Sequence, residues 1–258
     1  MDAREWLGLQ PTHNPMRWYL PVVPGISAGG SFLFGGCGLG AAIEAMEGST
    51  GRPVIWATAQ YLSFARPPDV MDIDVTIASN GRYTTQARAV GHVGDTEILT
   101  VNAALGSRPF PEQGQWVERP EVPPPDRCER REPRRVVSES IMMRLDQRWA
   151  LREGRRGRTA VWTRMPDLLG VSASSLAVLG DYVPLGLGEL VEADITSNSL
   201  DNTLRVANVV DTEWVLVDIR IDLINHGFGH GTVYLWAEDG TLMATASQSA
   251  IIRLWKGD

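Results

Sequence analysis

The chain has 258 residues, with 24 basic and 31 acidic side chains, a formal charge of −7, 43% hydrophobic and 21% charged residues. Such values fit a folded chain of one large domain or two small ones, and exclude collagen-like, disordered and coiled-coil classes. The acidic balance excludes a general nucleic-acid binder, which presents a positive field to phosphates.

The N-terminus carries Asp2 and Glu5 where a secretory signal needs basic residues, so no signal peptide is expected. No charge occurs between Trp18 and Ile43, yet Pro21, Pro24 and seven glycines from Gly25 to Gly40 make this a poor spanning helix. A cytoplasmic protein without membrane contact is predicted. Gly25-Ile26-Ser27-Ala28-Gly29 fits G-x-S-x-G, but Pro24 before it and Gly30 after it are poor helix-opening chemistry. It reads as a glycine-rich loop. Gly36 to Ala41 fits G-x-G-x-x-A, but an antiparallel pattern follows where a dinucleotide site needs a βαβ unit. No cofactor is expected. A glycine-rich helix start still exposes amides able to hold an anion or a polarised carbonyl. Cys37 there is either a thiolate nucleophile or a small buried residue. With Cys128 it makes two cysteines, too few for a disulfide framework or a four-cysteine zinc site and read as two free thiols, with a single bridge as the alternative.

Residues Cys37–Met46 are predicted helical. A strand follows over Val54–Phe64. In Met71–Ile77 the apolar Met71, Ile73, Val75 and Ile77 share one face, the alternation of a half-buried strand. Asn80-Gly81 signals a hairpin. Tyr83–Val90, a turn at Gly94-Asp95, and Glu97–Leu105 close a meander. From Arg108 to Arg135 there are seven prolines and many charges, read as an exposed, partly extended linker. The expected organisation is one unit over 1–108, a linker over 109–135 and a second unit over 136–258. Twelve arginines between Arg127 and Arg164 suggest a solvated linker and helix face, with phosphate docking as the functional alternative.

The second unit repeats the plan. An apolar segment, Leu176–Leu190, precedes strands over Trp214–Asp222, Thr232–Ala237 and Thr241–Trp255, with a glycine-rich turn at Gly227–Gly231. His226 and His230 flank glycines, so their spacing does not define a helical metal site, and no metal is expected. The lone lysine, Lys256, carries no functional weight. Each half is then a helix packed on an antiparallel meander, an α+β unit. The two sheets can pair edge to edge.

Two polar residues interrupt apolar patterns, and a third lies in a polar run. Gln248 is the only polar member of the row Leu242, Ala244, Ala246, Gln248, Ala250, Ile252, Leu254. It is either a satisfied structural amide or a holder of water or a ligand carbonyl. Asp181 is the only charge between Leu168 and Gly188. It is a candidate base or water-orienter, or else a cap or an exposed residue. Ser199 lies in the polar run Thr196–Asn202.

These residues sit among motifs that resemble the acyl-CoA thioesterase II-like family. Phe34-Gly35-Gly36 is similar to its Phe-Gly-Gly helix opening. Arg66-Pro67-Pro68-Asp69 resembles its Arg-Pro-Gly-Asp turn, and Asn80-Gly81-Arg82 its Asx-Gly-Arg turn. Ser199-Leu200-Asp201-Asn202 resembles Thr/Ser-x-Asp-His, and the Asp239-to-Gln248 passage its closing Asp-Gly-x-Leu-x-Ala…Gln. The resemblance covers nearly the whole chain. It implies a double hotdog, two tandem units with an antiparallel sheet wrapped around a central helix. It also implies a thioesterase whose Asp181, Ser199 and Gln248 activate water directly on an acyl-CoA or related thioester. Amides near Gly35 and Gly36, or at the second helix, would polarise the carbonyl. Self-association is expected. The departures are Cys37 for glutamine, Asn202 for histidine, Ser249-Ala250 for Glu-Gly, and Thr58 and Tyr61 at places where the family has histidines. The alternatives are a hotdog protein that binds an acyl ligand without turnover and, third, a hydratase.

Overall fold

A computed structural model describes residues 1–133, 137 and 139–255 of the chain. Arg134, Arg135 and Lys256 lie outside the described residues. The helices are α1 (Ala3–Leu7), α2 (Gly35–Thr50), α3 (Ala173–Gly180) and α4 (Val183–Leu190). The first-half strands are β1 (Arg17–Pro21), β2 (Val54–Tyr61), β3 (Val70–Asn80), β4 (Thr84–Val93) and β5 (Thr96–Gly106). Then come β6 (Asp146–Glu153), β7 (Arg158–Arg164), β8 (Ile195–Ser199), β9 (Asp201–Val206), β10 (Val215–Asn225), β11 (Phe228–Ala237) and β12 (Leu242–Leu254).

The strands form one antiparallel sheet in the order β1-β3-β4-β5-β2-β9-β12-β11-β10-β7-β6, with β8 also on β12 and two-residue ladders at both ends. Its two halves have the same order read outward from the centre. They join where β2 pairs with β9 in the register Thr58↔Thr203. The two threonine hydroxyls hydrogen-bond there at 2.6 Å. A two-fold axis through this pair relates one half to the other.

The inner face packs on α2 and α3. Alternation decides which side chains meet them. Met71, Ile73, Ala87, Ala89, Val101 and Ala103 are buried from the first half, and Val217, Ile219, Val233, Leu235, Ala244 and Ala246 from the second. The helices approach closely because α2 is glycine-rich. A Cβ on Gly36 would lie 2.8 Å from the Val178 Cα, and one on Gly40 would lie 2.9 Å from the Ser174 carbonyl oxygen.

The structure corrects three sequence expectations. The arginine-rich stretch before Arg164 contributes two strands, β6 and β7, not a helix face. On the outer side Arg148 and Arg164 lie over Trp214, whereas Arg152 lies over Trp149 on the helix side, where it also pairs with Glu189 of α4. Long stems and guanidinium–ring contacts let charged residues cover an apolar sheet. The glycine-rich turn shrinks to His226-Gly227, where both residues have positive φ, while Gly229 and Gly231 are strand residues. The hairpin after β3 turns over Gly81–Tyr83, with Asn80 still paired to Thr85. The proline-rich stretch runs extended across the back of the second half. Pro123 accepts a hydrogen bond from the Trp162 indole at 2.8 Å, and Gln115 accepts one from the Leu242 amide at 2.7 Å.

Candidate active site

The apolar segment over Leu176–Leu190 is not one helix. Pro184 sits in the first turn of α4 and has no N–H to bond the Gly180 carbonyl, so the helical ladder cannot run through. Asp181 falls in the break, as the residue that ends α3, with φ −89° and ψ 51°. Its side chain turns inward and is 4% exposed. One oxygen, Oδ2, accepts the Gly36 amide at the start of α2 at 2.7 Å. The other, Oδ1, accepts the Ser199 hydroxyl at 3.2 Å and the Gln248 side-chain amide.

The strands bring the other two residues to this point. Gln248 lies on the inner row of β12 and is 3% exposed. Its Nε2 also donates to Ser199 Oγ at 2.6 Å. Ser199 ends β8 opposite Ala250, whereas β9 resumes with Thr203 opposite Ser247. The ladder therefore slips by one residue at Leu200. Without that slip strict alternation would put Ser199 and Asn202 on opposite faces. With it both face the helices. Asp181, Ser199 and Gln248 thus meet from three elements of the second half, and Gly36 joins them from the first.

Burial dominates the electrostatics. It raises the Asp181 carboxyl to about 6 against the three hydrogen bonds that favour the carboxylate. Burial likewise pushes the Cys37 thiol up, and the side chain is fully enclosed, so Cys37 is a core residue and not a nucleophile. Ser27 is also enclosed and donates to the Val23 carbonyl at 2.8 Å. It does not stand at a strand–helix elbow. His230 Nδ1 lies 3.0 Å from Ser249 Oγ. Among the described residues no cluster of three or more His, Cys, Asp or Glu is arranged to hold a metal.

Two hollows flank Asp181. One, of about 200 Å³, is bounded by Phe32, Phe64, Ile98 and Leu99 and reaches Gly35, Tyr61 and Ser199. Phe32 and Phe64 meet edge to face at 5.0 Å. The other, of about 330 Å³, is bounded by Met142, Leu185 and Ile195, with Arg131 at its rim. Phe34, Pro184 and Ser197 belong to both. A larger hollow of about 590 Å³ lies elsewhere, near Met165 and Val215. Its Arg164 and Glu213 are ion-paired with each other, and among the described residues no buried carboxylate faces it.

Of the two glycines expected to bind substrate, Gly36 has its amide engaged by Asp181, while the Gly35 amide has no acceptor among the described residues. A Cβ on Gly35 would lie 2.7 Å from Asp181 Oδ2 and 3.0 Å from the Tyr61 ring, so only glycine fits. Tyr61 was given no role by pattern. It ends an alternating strand, and nothing in that alternation shows that its hydroxyl is enclosed beside the carboxylate.

The sheet wrapped on central helices defines a hotdog-fold protein, with a buried carboxylate at the junction of those helices. The family model for the acyl-CoA thioesterase C-terminal domain matches residues 106–252. The chain belongs to this family and is a thioester hydrolase. A provisionally named thioesterase from Novosphingobium aromaticivorans is 32% identical, covering 96% of this chain and 98% of its own, with a TM-score of 0.89. A hot dog fold protein of unknown function from Alicyclobacillus acidocaldarius is 17% identical (98% of each chain, TM-score 0.88). Acyl-CoA thioesterase II TesB2 from Mycobacterium marinum is 18% identical (99% of each chain, TM-score 0.80). No curated protein matches the sequence. Among the described residues no helix is long and apolar enough to cross a membrane.

Proposed function

We propose that Asp181, Ser199 and Gln248 hydrolyse an acyl-CoA or related thioester by activating water directly. The observation that carries this reading is the Asp181 carboxylate, buried, raised to about 6 and held by Gly36, Ser199 and Gln248 between two hollows. A carboxylate with that affinity for protons is a competent general base near neutral pH. Ser199 and Gln248 orient the water. The phenylalanine-lined hollow suits the acyl group, and the hollow with Arg131 at its rim suits the thiol arm.

A thioester is reactive enough for attack by water without a covalent intermediate on the enzyme. The test is release of free thiol from short, medium, long and aromatic acyl-CoAs, with Asp181→Asn beside the parent protein. Release by the parent and its loss in the variant is the expected result. Full activity in the variant removes Asp181 from the mechanism.

A further inference from the structure

Tyr61 ends β2, with its backbone amide donating to the Leu200 carbonyl at 3.0 Å, one residue from Ser199. Its hydroxyl oxygen is buried and has no hydrogen-bond partner among the described residues. Enclosing a hydroxyl without a partner is costly, so an observed orphan points to a partner supplied from outside the chain. An ideal Cβ on Gly35 would lie 3.1 Å from that hydroxyl and 2.7 Å from Asp181 Oδ2, so the two oxygens are within 5.8 Å of each other. They are not bonded together. The carboxylate is already engaged by Gly36, Ser199 and Gln248. Tyr61 and Gly35 both border the phenylalanine-lined hollow. Two donors without acceptors, the Tyr61 O–H and the Gly35 N–H, therefore stand beside the base, on the side where the acyl group is proposed to enter.

We propose that Tyr61 is a catalytic residue that, together with the Gly35 amide, receives the thioester carbonyl oxygen and stabilises the negative charge it acquires. This rests on the reading of Asp181 as the base. Water attacks the carbonyl carbon and gives a proton to Asp181. The π electrons of the carbonyl move to its oxygen, which accepts hydrogen bonds from Tyr61 and Gly35. The tetrahedral adduct collapses, the C=O bond re-forms and the C–S bond breaks. The departing sulfur takes the proton from Asp181, leaving a carboxylic acid and a thiol. Tyr61 keeps its own proton throughout. Burial and the nearby Asp181 charge both push its ionisation upward, so it stays a donor near neutral pH.

The probe is hexanoyl-CoA, since an apolar cavity of about 150 Å³ already takes a benzene ring. Loss of one donor to a developing oxyanion lowers kcat by roughly 10²-fold. Tyr61→Phe is expected to show that fall with KM changed by less than about threefold, the pattern of an interaction made in the transition state. Its thermal stability is expected to equal or exceed that of the parent, because an unpartnered hydroxyl is removed. Isotope-edited infrared spectra of carbonyl-labelled hexanoyl-CoA on Asp181→Asn give an independent readout. The bound carbonyl stretch should lie below its value in solution and move back up when Tyr61→Phe is added. Unchanged kcat in Tyr61→Phe, with Asp181→Asn inactive, overturns the role of Tyr61 alone. Full rate in Asp181→Asn, or no hydrolysis by the parent, overturns the underlying reading instead.

Discussion

Asp181 sets two pH dependences of different kinds. As the proposed base it must be ionised, so kcat/KM for an acyl-CoA should climb about tenfold per pH unit below about 6 and level off above it. A flat profile between pH 4.5 and 7 would contradict the assignment. The same burial affects stability with the opposite sign. The fold favours the neutral acid, since the folded value is above the unfolded one. Ionisation therefore destabilises the native state progressively from about pH 4 to about 6, by roughly 2–3 kcal/mol in full. Replacement by asparagine removes this ionisation. The Tm of Asp181→Asn minus that of the parent should then rise as pH goes from 4 to 7. Gln248→Ala should lower kcat by roughly 10²-fold if it orients the water in the transition state. Two of these residues were legible as polar interruptions of apolar rows. Ser199 was not, because its inward aim depends on a slip of the ladder, which leaves no local mark in the polar run around it.

At the scale of elements, the helix break and the glycine contacts share the task of positioning the carboxylate. Gly36 both approaches α3 and donates to Asp181, whereas Gly40 only approaches α3. Backbone on the opposing helix cannot withdraw as a flexible side chain can, so each glycine-to-alanine change should destabilise by about 1–3 kcal/mol, the range for overpacking. Only Gly36→Ala should also reduce kcat strongly. Denaturant unfolding and thiol release on both variants check this, and equal losses of activity would deny Gly36 its second role. The meanders of both halves could be read from period-2 alternation and turn residues. The strands β6 and β7 could not, because arginines and tryptophans share their outer face and blur the contrast that alternation depends on. Pro184 was visible in the sequence, but its effect on Asp181 needed the helix partner to be known.

For the whole molecule, the decisive contact is β2 on β9. It makes one sheet of two halves, so the chain should unfold in a single calorimetric transition, with van't Hoff and calorimetric enthalpies in agreement. Two separated transitions would mean that the halves are energetically independent. The Thr58–Thr203 hydroxyl pair lies at the centre of that junction. Valine at either position, and at both, forms a double-mutant cycle in which a coupling of about 1 kcal/mol is expected.

The two-fold axis through that pair also has a history written in it. It carries Thr203 and Ser247 onto Thr58 and Asn102, and hence Ser199 onto Val54 and Gln248 onto Ala103. It exchanges the Gly36–Val178 and Gly40–Ser174 contacts, which carries Asp181 onto Ile43. All three counterparts are apolar and buried. If the halves descend from a duplicated ancestor, one copy of the reaction centre has been given over to cohesion. Its former polar groups became packing, which stabilises the scaffold that holds the surviving carboxylate away from water. A chain built this way turns over one substrate at a time, and saturation with an inert acyl-CoA analogue should end at a single equivalent.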